Sequence, residues 1–237
     1  MRTMFISFKQ FLFQMSHDSI LLVICLLPII TGIIFKFSVP IGEKMLCDYF
    51  AKAAILSSYY LLFDIFLAVV TPYMFCFASA MVILEEKDTN ITNYLSVTPV
   101  GKSGYLLSRL GFPAAISAVF SVIMLLFFSL TDIGLFEMVA LSILTAPIGI
   151  IISLLIVSLS ANKVEGMAIA KLGGLIILGV AIPFFITDAR QYLGAFLPSF
   201  WAAKVIIDFS TSNLLISIVV IAVWICLLSK KFNKQIS

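Results

Sequence analysis

Gly101-Lys102-Ser103 has the residue types of a phosphate-binding loop, in which backbone N–H groups and a lysine hold nucleotide phosphates. That motif needs a glycine five residues before Gly101, and position 96 is Ser96; no strand precedes it either. ATP is therefore expected on another chain. Glu85-Glu86 offers two carboxylates, but a hydrolytic metal also needs histidines as ligands. The chain has one, His17, near its start, so no histidine is available to activate a serine in a later segment. Cys25, Cys47, Cys76 and Cys226 form no CxxC or Cys/His cluster. Asn90-Ile91-Thr92 fits the glycosylation pattern, but loop charge places it inside, where the match is fortuitous. The expectation is a chain that is not an enzyme, with no metal, no cofactor of its own and no nucleic-acid partner.

The elements that must position these residues are membrane helices. Of 237 residues, 62% are hydrophobic and 11% charged, where a soluble domain carries about 25% charged residues. The apolar residues come in runs of the length that crosses a bilayer. Six spans are expected in one domain, at about 19–38, up to Glu85-Glu86-Lys87, 110–130, 138–160, 167–187 and 212–229. The fold class is all-α. Residues 1–18, with Met4, Phe5, Phe8, Phe11, Leu12 and Met15 at helical steps, suit a helix lying in the interface. From Asp64 to Glu85 is about 30 Å of helix, so Asp64 is expected near the opposite surface, solvated. Pro113 is read in the first turn of the third span. Residues 188–210, polar at both ends, suit two short helices dipping into the outer interface, the second starting at Pro198-Ser199.

Charge sets orientation. With the N-terminus inside, the inner side holds Arg2, Lys9, Lys87, Lys102, Arg109, Lys163, Lys171, Lys230, Lys231 and Lys234. The outer side holds Lys36, Lys44, Lys52, Arg190 and Lys204, ten against five. The positive-inside rule then puts both termini and residues 85–109 in the cytoplasm. Trp224 reads as an anchor at the inner end of the last span.

Residues 85–109 are the most polar internal stretch. A span ends at two carboxylates, and Asp88, Thr89 or Asn90 can cap a short new helix. Ile91, Tyr94 and Leu95 share one face of it, and Pro99 ends it. The result is a small apolar and aromatic knob that a soluble partner could push.

Here the chain resembles the ABC-2 type exporter permeases, the small drug- and peptide-export members being similar in size. The resemblance rests on Glu85 or Glu86 ending the span, on Leu95 through Thr98-Pro99, on Tyr105-Leu106, and on Phe196-Leu197-Pro198 before the last span. It implies a multi-pass protein of the bacterial plasma membrane that works with a second permease copy or a homologous permease. It also implies two P-loop ATPase subunits docked below, holding ATP and Mg. Residues 88–97 would be the coupling helix, with Glu85, Glu86, Ile91, Tyr94, Leu95, Thr98 and Pro99 as coupling residues. Phe196, Pro198 and Trp201 would help close the outer gate. The mechanism would be alternating access or a transient lateral path for an amphipathic drug, peptide or lipid.

Gly166, Ala170 and Gly174 repeat every four residues on the fifth span and allow a close helix contact, within the chain or between chains. The alternative functions are an ion-coupled secondary transporter and a non-transport membrane partner protein. The first needs a charge or a broken helix near the midplane, and all charges read as lying near span ends.

Overall fold

The computed structural model describes residues 9, 13, 17–89 and 101–236, the side chains of 101–103 and 233–236 excepted. Among these residues every regular element is helical, and six helices are long and apolar enough to cross a membrane. The chain is a multi-pass membrane protein. The helices are α1 (Ser19–Phe50), α2 (Tyr60–Asp88), α3 (Gly101–Leu106), α4 (Phe112–Phe128), α5 (Leu135–Leu159), α6 (Lys163–Leu178), α7 (Ile182–Phe185), α8 (Pro198–Ile207) and α9 (Thr211–Ile236). A π-turn, Leu107–Gly111, joins α3 to α4 as one span, and a 3-10 turn, Gly179–Ala181, joins α6 to α7. Spans alternate in direction, so the bundle has an Asp64 end and a Glu86 end. Of the interfacial helix expected at 1–18, only Lys9, Phe13 and His17 are described as helical, four residues apart and exposed. The rest of it lies outside the described residues.

α1 corrects the first expected boundary. It has 32 residues where the sequence suggested about 20, and at 1.5 Å per residue it is about 48 Å long. Lys36 donates to the Phe127 carbonyl at the end of α4, which marks the membrane level, and residues 37–50 run on beyond it. Pro40 removes only one intrahelical bond, and nothing ends the helix before Ala51, which takes left-handed φ of 50°. The Glu43 carboxylate ties the returning chain, accepting from Ile55 N at 3.0 Å and Leu56 N at 2.5 Å.

α2 and α5 form the centre. Among the best 18-residue windows, 78% of the α2 window is buried, against 17% for α1 and for α9. The two central helices touch where Pro72 meets Gly149: a Cβ on Gly149 would stand 2.6 Å from the Pro72 carbonyl oxygen. Only glycine permits that approach.

The 188–210 segment reaches deep. Its 3-10 turn (Ala189–Gly194) leads to an apex at Phe196-Leu197 and then α8. Trp224 Nε1 donates to the Phe196 carbonyl at 2.8 Å, and Trp224 lies 13 residues, about 20 Å, inside α9 from its Thr211 end. Trp224 is therefore not an anchor at the helix end but a tie to the apex. Ser199 donates to the Ile176 carbonyl, and Leu197 and Ser199 fill the space over Gly179.

Candidate functional site

Four polar residues of α2 lie on one stripe at steps of seven, eight and seven: Asp64, Thr71, Ser79 and Glu86. Each is at most 1% exposed. A polar seam thus runs the length of the most buried helix; Ser79 and Glu86 find partners on the third span, Asp64 in the loop that follows it, and Thr71 on its own helix.

At the Glu86 end the seam closes on an ion pair. Arg109 Nε lies 3.1 Å from both Glu86 oxygens and Nη2 lies 2.5 Å from Oε1. Tyr105 OH donates to Oε2 at 2.9 Å. The Arg109 guanidinium also stands 5.7 Å from the Tyr105 ring centroid, a cation–π distance. Glu86 and Arg109 are 1% and 2% exposed. Desolvating two charges is expensive, and the attraction repays it only with such saturated hydrogen bonding. The sequence reading treated Glu85 and Glu86 as interchangeable and counted Arg109 as a loop charge. The structure separates them: Glu86 is sealed, Arg109 lies inside the helix, and the Glu85 side chain is 57% exposed.

The backbone explains why Arg109 can turn inward. Pro113 has no N–H to give the carbonyl four residues earlier, that of Arg109. The helix widens there into the π-turn, a form frequent at functional sites. Ser79 of α2 donates to the orphaned Arg109 carbonyl. The device recurs in reverse: Pro72 of α2 frees the Ala68 carbonyl, and Ser121 of α4 donates to it at 3.4 Å. Pro113 is in the first turn of α4, as expected, but the π-turn and α3 carry the helical run back to Gly101.

At the other end, Asp64 is buried, not solvated. It accepts from Leu130 N at 2.8 Å, from Thr131 N at 3.0 Å and from the Thr131 hydroxyl. Its place near a span end was legible, but its loop partners supply the bonds water was expected to make.

Around the ion pair, Lys163 at the start of α6 bonds Asp18 at 2.8 Å and Glu85 at 3.1 Å. It thereby joins the starts of α1 and α6 to the end of α2. The Lys163 hydrogen bond holds the Asp18 carboxyl below the usual aspartate range, against the effect of burial and with help from the Leu21 and Ile20 N–H groups. Gly166 packs on Leu84 and Met81 of α2, and the Ala170 carbonyl accepts from Tyr73 OH at 3.0 Å. The space opposite Gly174 is open, and Gly173 makes the close contact to Tyr73 and Ile152 instead. One residue of helical phase turns the third small position toward the core. Phe196 is 63% exposed, Trp201 is buried and donates to Ala195 O at 2.7 Å, and Pro198 is buried. Ile91, Tyr94, Leu95, Thr98 and Pro99, with the rest of the expected coupling helix beyond Thr89, lie outside the described residues.

Residues 11–229 match the family described as Fluoroquinolones export permease protein Rv2686c-like. The chain belongs to that family. Two curated relatives, the fluoroquinolones export permease proteins MT2760 and Rv2686c of two Mycobacterium tuberculosis strains, are each 23% identical over 190 residues. The match covers 79% of this chain and 75% of each relative. No solved structure matches. Sequence reasoning gave Ser79 no role, counted Arg109 among the loop charges, and used Tyr105 for the resemblance without a partner. A signal for them was present: an arginine four residues before a proline, with a serine seven residues before Glu86 on the partner helix.

Proposed function

We propose that this chain is the membrane subunit of an ATP-driven exporter of the ABC-2 type, worked by ATPase subunits that are separate chains. The Glu86 end faces the cytoplasm in this reading. Residues 88–97 are the part the ATPase pushes, and two copies, or one with a homologous permease, enclose the path of an amphipathic substrate. Membership of an export-permease family supports the transport class.

The observation that carries the coupling role is the Glu86–Arg109 pair. Glu86 stands two residues before position 88, and Arg109 stands twelve after position 97. A buried ion pair with a tyrosine cross-tie therefore fastens the two helices on either side of that segment. Force on the segment cannot spread α2 from α3; it moves them together. The Ser79, Ser121 and Asp64 bonds carry the same unit to the far end.

The test is Tyr94→Asp with Leu95→Asp. The expected result is normal membrane insertion with loss of ATPase co-purification and of stimulated hydrolysis. Survival of both would remove the coupling assignment. Thiol labelling of a Lys102→Cys variant only from the inner side checks the orientation.

A further inference from the structure

Lys171 is an exposed lysine within the fifth span. Sequence counting grouped it with the inner-loop charges. In the structure it lies on α6, eight residues past Lys163, about 12 Å along the helix. Lys163 fixes the level of the Glu86 end through Glu85. The neighbouring residue Ala170 bonds Tyr73, which is nine residues from Asp64 and 13 from Glu86. Lys171 thus stands deep in the bilayer level. Its helix-surface neighbours at three-, four- and seven-residue steps are Met167, Ala168, Gly174, Leu175 and Leu178, all exposed or half-exposed. Among the described residues, no acidic side chain pairs with it.

An ammonium at this depth on an apolar face is costly in lipid. Intramembrane lysines accordingly face water-filled cavities or bind partners. With Lys171 on its axis, a two-fold contact opposes two ammonium groups, so a second copy resolves the charge only by setting one of its carboxylates against Lys171 away from the axis. The position also differs from that of a lipid headgroup, which sits at the surface. We infer that the Lys171 face of α6 borders a wet cavity in the transport path, where the ammonium takes the carboxylate of an amphipathic organic acid whose apolar part lies on Met167, Leu175 and Leu178. This rests on the export reading above.

The experiment uses the full chain in nanodiscs, with Cys25, Cys47, Cys76 and Cys226 replaced by serine. A Lys171→Cys variant should react with a charged methanethiosulfonate, while Leu26→Cys, exposed on α1 eight residues past Asp18 and so at a matching depth, should not. A fluoroquinolone with its free carboxylate and its methyl ester should slow the Lys171→Cys reaction to the same extent, since this variant has lost the ammonium that distinguishes them. In the lysine-containing protein the acid should bind about tenfold or more tighter than the ester, the scale of one charge-assisted bond. Lys171→Gln should abolish that preference and leave ester binding unchanged, and Lys171→Arg should keep it. Three results overturn the inference: an unreactive Lys171→Cys variant, no binding of either probe, or an acid preference that survives Lys171→Gln. Failure of the reconstituted exporter to move the drug with ATP would sink the export reading alone. The labelling and acid–ester results would still stand.

Discussion

Asp64 and Glu86 sit on one face of α2, 22 residues apart, both 1% exposed, and they are satisfied in opposite ways. Asp64 takes two backbone N–H groups and one hydroxyl from a single short loop. Among the described residues, Glu86 takes side-chain donors, from Arg109 and Tyr105. Backbone donors fix the shape of the loop that offers them, so Asp64 is a cap that holds the 129–134 turn onto α2. Side-chain donors can hold two helices together without fixing the chain between them. The Glu86 end is a joint and the Asp64 end is a rivet, and in the proposed function it is the joint that stands beside the segment the ATPase pushes.

The largest effects should come from splitting the joint. Arg109→Met leaves an uncompensated buried carboxylate and should cost about 3–5 kcal/mol, read as thermal unfolding in detergent. The Glu86→Leu/Arg109→Met double variant should recover most of that loss, because an apolar pair needs no desolvation. It should nonetheless stay uncoupled, with ATPase stimulation by substrate lost. A double variant that is both stable and coupled would reduce the joint to packing. At the rivet, Asp64→Asn keeps an acceptor but loses the charge. It should cost about 1–3 kcal/mol, the scale of hydrogen bonds to a buried charged group, with hydrolysis per molecule transported unchanged.

A smaller break tests the proline–serine device between the two ends. Ser79→Ala leaves the Arg109 carbonyl unpaired and should cost about 1 kcal/mol. Pro113→Ala restores an N–H at the position that would normally bond that carbonyl. In a double-mutant cycle the serine should matter much less once Pro113 is gone. Equal losses in both backgrounds would mean that Ser79 is not serving the orphaned carbonyl.

The spans were legible because each is a run of apolar residues bounded by charge, and membrane thickness sets the length such a run must have. The same logic failed at α1. A bilayer argument ends the span near Ser38, but a helix ends only where its backbone bonds do, at Ala51. Glu86 was legible as a span end. Its partnership with Arg109 was not, because 22 intervening residues hide the pairing and a charge near a span end reads as solvated. Asp64 misled for the same reason: depth along a helix can be counted from sequence, but burial by a loop cannot. Gly174 was misplaced by one residue because a four-residue repeat drifts across a 3.6-residue turn, and Gly173 holds the phase that faces α2.

The smallest effect belongs outside the seam, at Asp18 and Lys163, whose side chains are 24% and 28% exposed. A pair this open to solvent is worth about 0–1 kcal/mol and is screened by salt. Its pH dependence has a definite sign. The Lys163 hydrogen bond depresses the folded Asp18 carboxyl, so its contribution is complete above the ordinary aspartate value of about 3.9. It disappears as pH falls through the lower folded value. Asp18→Asn should therefore lower the unfolding temperature slightly at neutral pH and make no difference at strongly acid pH, while Arg109→Met should be damaging at neutral pH in low or high salt. The salt comparison is the sharper of the two. Added salt should erase the Asp18 effect and leave the Arg109 effect in place, since solvent ions reach the first pair and not the second. Equal screening of both would mean that water enters the Glu86–Arg109 joint.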